Sequence, residues 1–384
     1  MKGFLRITII GLLIGSFISS CTSPQKLLEK GNYYEAVLLS VEKLKKNPNN
    51  KNARETLVQA YPLAIEGLLD KLEKDNLIQP NFANTNAVYT YEDLNRVYEK
   101  IQQSPAAKQI IKNPEKYYEQ LSRVKPMAAE EQYKAGVEQL SIESRENAKQ
   151  AYYYFQNADG FVKNYKDVSG KMEQSYNMAL IHVIADFKPV NSRIYSLSAT
   201  SFYNELKNNL QHIEKNHFVR FYSVNEAKNI ALNDPDQYLE VNFEDFVVGE
   251  THTTERIENM QADSVKVGEI TVRGDTKKDV FGTVKAKVSI NHMEIISKGI
   301  VNLTVIENNT SNKVLLNQNF PGEFVWFNEW GSYNGDERAL TQEQLNICRN
   351  KQIPPPPPQQ MFVEFTKPIY AQLNNRLNNF YKNY

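Results

Sequence analysis

The chain of 384 residues carries five histidines, at positions 182, 212, 217, 252 and 292, and metal chemistry is the first use to test for them. A helical zinc site sets two histidines one turn apart, as in H-E-x-x-H. His182, His212, His217, His252 and His292 show no such spacing. His212 and His217 stand five apart across a change from helical to strand pattern, a poor zinc pair. Four carboxylates, Glu323, Glu329, Asp336 and Glu337, surround Trp326 and Trp330. A glycosidase uses two carboxylates flanking a sugar. With 45 acidic residues in the chain, however, composition alone produces such a cluster. No G-x-S-x-G, Walker loop or G-x-G-x-x-G is present. Cys348 lies in a helical pattern with Leu345 three residues back, which fits a small buried apolar residue better than a nucleophile. No catalytic residue, metal ligand or cofactor is assigned, and the expectation is a protein that is not an enzyme.

The other cysteine, Cys21, follows a short apolar run. Lys2 and Arg6 give a positive start, and residues 7–18 (ITIIGLLIGSFI) form a stretch of 12 residues. That suits a signal-peptide core and falls short of the ~20 residues a membrane-spanning helix needs. Ile18-Ser19-Ser20-Cys21 resembles the bacterial lipobox, in which an aliphatic and two small residues precede the cysteine. The resemblance implies diacylglycerol on the Cys21 sulfur, cleavage before Cys21 and acylation of the new amino terminus. At ~0.8 kcal/mol per buried CH₂, several acyl chains hold a protein on a bilayer. The alternative is an ordinary secretory signal with a cysteine near its cut site. Thr22 rather than Asp follows, which in the enterobacterial pattern favours the outer membrane. The Asn-, Lys- and Tyr-rich composition is similar to that of Bacteroidetes lipoproteins, whose surface-exported members carry acidic residues after the cysteine. Thr22-Ser23-Pro24-Gln25-Lys26 has none, so the resemblance implies the periplasmic face of the outer membrane.

Loss of residues 1–20 removes Lys2 and Arg6 and leaves 43 basic against 45 acidic residues, a net charge of about −2. Near-neutrality without a like-charge block gives no footprint for nucleic acid. With Cys21 acylated, Cys348 keeps the one remaining thiol, so no internal disulfide forms and the fold rests on its core.

Residues 29–50, EKGNYYEAVLLSVEKLKKNPNN, place Gly31, Tyr33, Ala36 and Pro48 at glycine, aromatic, small-residue and proline positions. This pattern resembles the second half of a tetratricopeptide repeat. Leu57, Ala60, Tyr61, Ile65, Leu68, Leu69 and Leu72 continue with helical period, and Pro62 is expected to kink or break that helix. A second resemblance covers 130–167, where Gly136 and then Ala151, Phe155 and Ala158 reproduce the repeat's spacing, with three extra residues between Gly136 and Ala151. Between them, Thr90-Tyr91-Glu92-Asp93 and Asn113-Pro114-Glu115 read as helix starts. Repeat stacks form grooves for extended peptides or partner helices. The resemblance implies Tyr33, Tyr61, Tyr133, Tyr152 and Phe155 as partner-binding candidates. The alternative is a helical bundle without a partner.

Near residue 180 the pattern changes. Residues 179–190 are apolar and β-rich, and 196–215 are helical with Leu197, Phe202, Leu206, Leu210 and Ile213 on one face. Residues 217–224 alternate like a strand, 226–232 read as a short helix, and 237–253 as another strand. This β-α-β-α-β order, with Phe187, Leu206 and Leu210 in core places, resembles the lipoprotein domain of curli-secretion and penicillin-binding-protein-activator proteins. Residues 282–327 read as three or four antiparallel strands, with NNTSNK as a turn. A plain β-sandwich is the alternative.

Trp326, Trp330 and Tyr333 stand close together with Phe324 and Phe327. Such aromatics stack on sugars, anchor partners or close a core. Asp336 is placed to cap a helix at Glu337, and Thr341-x-x-Gln344 is a capping box. Residues 354–358 are a polyproline spacer, and Ile369, Leu373, Leu377, Phe380 and Tyr384 form the stripe of a terminal amphipathic helix that is expected to pack on the sheet.

The expected fold is α+β: tetratricopeptide-like helical hairpins, then a mixed domain with a largely antiparallel sheet, then an amphipathic helix. The expected divisions are a signal peptide at 1–20, a helical domain at 21–178, a mixed domain at 179–352, a polyproline linker at 353–360 and a helix at 361–384. The expected function is a non-catalytic outer-membrane lipoprotein that binds an envelope protein as a scaffold in assembly, secretion or cell-wall synthesis. The alternative is a surface glycan-binding lipoprotein using Trp326, Trp330 and Tyr333. The oligomeric state is left open.

Overall fold

The computed structural model describes residues 23–272 and 276–384. The expected signal peptide (1–20) and Cys21 lie outside the described residues. The chain divides into two units, with the boundary between Ala179 and Leu180, and the fold is α+β.

Among the described residues, eight α-helices build the first unit: α1 (Pro24–Glu29), α2 (Tyr33–Lys46), α3 (Lys51–Ile78), α4 (Ala83–Gln102), α5 (Pro105–Ile110), α6 (Tyr118–Leu140), α7 (Arg145–Phe161) and α8 (Val168–Ala179), with a 3-10 turn at Pro80–Phe82. Local chemistry sets their starts. Ser23 and Ser104 cap helices that open on Pro24 and Pro105, while Asn50 and Ser144 cap α3 and α7. Gly31 turns α1 into α2 at φ +77°, a backbone angle that favours glycine. The core is made of small and branched residues: Ala36, Val37 and Val41 of α2 meet Ala53, Leu57 and Ala60 of α3. Side chains this small let helix axes approach closely.

Of the kink or break expected at Pro62, the break does not occur, since α3 runs through it. Proline at 62 leaves the Val58 carbonyl without its helical donor, and Val58 is exposed, so water can satisfy that carbonyl. Thr90 and Asn113 are not helix starts. Thr90 lies buried inside α4, and the helix after Asn113 begins at Tyr118. Tertiary contacts hold the intervening turn instead: Tyr117 N–H donates to Asn95 Oδ1 (2.7 Å) and Glu115 N–H to the Tyr61 hydroxyl (2.9 Å).

The second unit runs β1 (Ile181–Phe187), α9 (Ser196–Asn216), β2 (Val219–Ser223), α10 (Val224–Asn229), β3 (Gln237–Val272), β4 (Thr276–Glu307), β5 (Val314–Gly335), α11 (Gln342–Arg349) and α12 (Pro358–Tyr381). The sheet order is β2-β1-β3-β4-β5. β1 is parallel to β2 and β3, and the β3-β4-β5 ribbon is antiparallel. Where three or four strands were expected over 282–327, there are parts of only two, β4 and β5. β3 likewise continues well past residue 253.

β4 pairs with β5 without a slip from Ala286 to Val305, so its side chains alternate between faces over that length. Val284, Ala286, Val288 and Ile290 point to one face, where α11 brings Leu345, Ile347 and Cys348. Val301, Leu303 and Val305 point to the other, under α9 and α12. The chain between α11 and α12 therefore passes round β5. Asn350 Nδ2 donates to Glu329 O (3.1 Å) and Ile353 N–H to Asn328 Oδ1 (3.1 Å) along that path. Each of the four irregularities in the β3–β4 pairing adds its extra residue to β3. Such bulges twist an outer strand and blunt its unpaired edge.

Helix α12 starts at Pro358, three residues before the expected boundary. Met361, Phe365, Ile369, Leu373, Leu377 and Tyr381, spaced by four, are all buried. At roughly 1.5–3 kcal/mol for each large apolar side chain, this stripe is a main element of the second core. On α9 the buried stripe begins at Ala199. Leu197, expected on it, is 82% exposed because it precedes the turn that meets the sheet.

Candidate partner-binding surface

The expected partner residues do not form one surface. Phe155 is fully buried against Gly136 and is corrected from surface to core. Tyr33 and Tyr61 are half-buried against the α2–α3 core, and the Tyr61 hydroxyl is engaged by Glu115. Tyr152 packs on Tyr176 and Tyr153. Tyr133 sits edge-on to Phe155 (5.7 Å) and donates its hydroxyl to Asp167 Oδ1 (2.5 Å).

A different set is brought together. Phe82 stacks on Tyr154 at 5.9 Å, and Tyr89 meets Phe161 edge-on at 5.9 Å. Seven residues separate Phe82 from Tyr89 and Tyr154 from Phe161, two helical turns in each case. These pairs form two aromatic rungs linking the start and middle of α4 to the second half of α7, alongside α6. Beneath them an amide relay crosses α6: Gln132 Nε2 donates to Thr85 Oγ1 (3.1 Å), and Asn157 Nδ2 donates to Gln132 Oε1 (3.1 Å). Glu131 of α6 caps α4, accepting from the N–H groups of Asn84 (3.0 Å) and Thr85 (2.8 Å). No side chain of the Phe82 region performs that task, so a carboxylate from a neighbouring helix supplies it. Tyr89 keeps 48% of its surface exposed. The seven-residue spacing of the aromatics is the signal that reading each helix alone passes over.

Beside the rungs, the α7–α8 turn is tied down electrostatically. Glu130 accepts from Tyr165 (2.6 Å) and pairs with Lys166 and Lys134. The Lys166 ammonium lies 4.7 Å over the Tyr133 ring. Hydrogen bonds from Lys166 and then Tyr165 hold the Glu130 carboxyl at about 2. Asn164 and Lys166 adopt positive φ, so these contacts fix a turn that non-glycine residues resist.

In the second unit the expected cluster divides. Trp326 and Trp330 are half-buried on one face against Met293, Ile295 and Met361. Tyr333, an odd number of residues from both, points to the opposite face near Glu337 (3.4 Å). The three rings do not line one sugar site. Glu323 and Glu329 are six strand residues apart, about 20 Å at 3.3 Å per residue, well beyond a glycosidase pair. Glu329 is engaged with His292 Nδ1 (3.0 Å), and Asp336 with Arg338. Cys348 is half-buried, and burial pushes its thiol up, away from the reactive thiolate. The caps at Asp336 and at Thr341 with Gln344 form as expected. Among the described residues, no cluster of His, Cys, Asp or Glu is placed to hold a metal ion, and no helix is long and apolar enough to cross a membrane.

No protein-family model matches this chain, and a search of curated proteins finds no match.

Proposed function

We propose that this chain is a non-catalytic, lipid-anchored scaffold of a bacterial outer membrane, whose helical unit docks an envelope protein. The observation that carries the docking role is the pair of aromatic rungs on α4 and α7. Tyrosine is enriched in binding hot spots, and Tyr89 of the second rung keeps 48% of its surface exposed. The anchor rests on Ile18-Ser19-Ser20-Cys21 and its flanking segments. The partner belongs to envelope assembly, secretion or cell-wall synthesis, and the folded units face the periplasm. Glycan binding by Trp326, Trp330 and Tyr333 is the weaker reading, because Tyr333 points away from the two tryptophans.

Crosslinking in intact cells from a photoreactive residue at position 89 tests the docking role. One discrete adduct with an envelope protein is expected, and no adduct at any crosslinker dose overturns it. Mass spectrometry of the mature chain tests the anchor, with an acylated Cys21 at the new amino terminus as the expected species. Protease treatment of whole cells separates the membrane faces: a periplasmic chain survives, and a surface chain is cut.

A further inference from the structure

The strand edges of the second unit are treated differently. At the outer edge of β2, Glu214 Oε1 accepts the N–H of Phe221 (2.5 Å) and Glu226 Oε2 that of Ser223 (2.7 Å). Beyond the end of β1, the outer side of β3 is interrupted by its four bulges. The outer edge of β5 has neither protection over its middle. Gln372 Nε2 donates to Pro321 O (3.1 Å) and Asn350 Nδ2 to Glu329 O (3.1 Å), both from outside the sheet, while the Asp336 N–H turns inward to Lys285 O (3.0 Å). The β4–β5 register has no slip in this stretch, so odd-numbered residues of β5 turn N–H and C=O outward. Pro321 holds such a place, where it has no ladder donor to lose. Between the Gln372 and Asn350 contacts stand Glu323, Val325 and Phe327. Their outward N–H and C=O groups have no partner among the described residues.

The side chains of these three residues lie on the sheet face that carries α11, opposite Lys298, Ile296 and Glu294 of β4. Val325 is 43% and Phe327 63% exposed. Val247 and Ile300 share the face and line a hollow of about 530 Å³ with Pro321 and Glu323. The charge of the face is one-sided. Along β4 from His292 to Ile300 and the residues paired with it, Asp245, Glu250, Glu294, Glu323 and Glu329 face one lysine, Lys298. His292 lies between Glu329 (3.0 Å) and Glu294 (3.6 Å) and stacks on Phe327, and His252 lies 3.6 Å from Glu250. Glu323 and Glu329 flank the apolar pair Val325 and Phe327 without covering it. We infer that the β5 edge from Glu323 to Phe327 takes up an extended basic segment of a partner protein as a sixth strand. The main chain of the added strand bonds the three outward residues, and its lysine or arginine side chains meet the acidic face. This site is independent of the docking surface on α4 and α7, and the failure of either leaves the other standing.

Labelled synthetic peptides test the assignment on the full chain. In acetyl-TRTVTRT-amide the valine can lie opposite Val325 with an arginine opposite Glu323 and another opposite Phe327. Saturable binding that weakens as salt rises is expected. The same peptide N-methylated at its valine keeps every side chain but loses a donor and holds the strands apart. It should bind at least about tenfold more weakly. Acetyl-TETVTET-amide, with acids in place of the arginines, should show no saturable binding. On the protein, Val325→Pro removes a donor that no internal bond uses and should weaken the basic peptide by at least about tenfold, with circular dichroism verifying the fold. The peptide comparisons use the unaltered protein, so they decide the matter whether or not that variant folds. No saturable binding of the basic peptide, equal binding of its N-methylated form, or undiminished binding by folded Val325→Pro overturns the added strand. Equal binding of the acidic peptide overturns the basic partner.

Discussion

Gly136 on α6 and the Phe155 ring on α7 are in direct contact: a Cβ built on Gly136 would stand 2.7 Å from Phe155 Cε1 and 2.9 Å from Cδ1 and Cζ. Phe155 has no free surface and cannot swing clear. The glycine therefore sets how closely α6 and α7 pack.

Gly136→Ala tests this through its sign. Helix propensity alone favours Ala over Gly by about 1 kcal/mol, whereas overpacking a closed core costs roughly 1–3 kcal/mol. The clash should win, and urea unfolding should show a net loss of up to about 2 kcal/mol. Gly67 on α3 is the internal control, since nothing lies within 4 Å of its Cβ position. Gly67→Ala should gain up to about 1 kcal/mol. Two substitutions of the same kind then move stability in opposite directions, and a gain at both positions rules out the contact as the limiting feature.

Glu130 predicts a pH dependence. Its folded-state carboxyl lies at about 2, below the ordinary 4.5, so its pairing stabilises the protein fully above about 4.5. That contribution falls as pH drops from there through about 2. Glu130→Gln removes the charge that Lys166 and Lys134 pair with, and hydrogen exchange in residues 162–167 should quicken at pH 7. The wild-type turn should approach the variant's exchange behaviour as the pH nears 2, after correction for intrinsic exchange. Equal protection in both proteins at pH 7 would show that the turn is held by other contacts.

Sequence patterns disclosed the elements whose signals are local. The strand Ile181–Phe187 is apolar and β-rich, α12 repeats an apolar residue every four positions, and Thr341 with Gln344 forms its cap without outside help. The long ribbon was not legible beyond residue 253. From Thr251 to Ile257 every residue of β3 is exposed, so no apolar alternation marks the strand there. Thr90 and Asn113 carry helix-start motifs that packing overrode. For the proposed binding surface, the aromatic residue types were visible but their partners were not. Phe82 and Tyr154 lie 72 positions apart in the chain, and only the parallel course of α4 and α7 brings them together.

The docking of α12 depends on Gly322 in β5. A Cβ there would run into the Phe365 carbonyl oxygen and stand 2.6 Å from Ile369 Cγ1. The obstacle is helix backbone, which no rotamer change can move aside. Gly322→Val should destabilise the second unit by about 3 kcal/mol or more. It should also make residues 353–357, at the approach to α12, more readily cut by a protease that cleaves beside proline. An unchanged cutting rate and unchanged stability would mean that the helix tolerates displacement from the sheet.

The aromatic rungs can be separated from ordinary stabilising contacts by a matched pair of variants. Tyr89→Ala with Tyr154→Ala removes one ring from each rung. Tyr98→Ala with Tyr118→Ala removes an edge-on pair at 6.0 Å elsewhere in the same unit. An aromatic pair contributes about 0.5–1.5 kcal/mol, so the first double variant, which breaks two pairs, should lose roughly 1–3 kcal/mol, the second, which breaks one, about 0.5–1.5 kcal/mol, and both should remain folded. Only the first should lose partner capture from membrane extracts, by tenfold or more, because truncating a hot-spot tyrosine costs about 2 kcal/mol in binding. Capture reduced equally in both variants would trace the loss to stability rather than contact, and Tyr89 would then have no claim as an anchor. Capture retained in both would place the partner on another face of the helical unit.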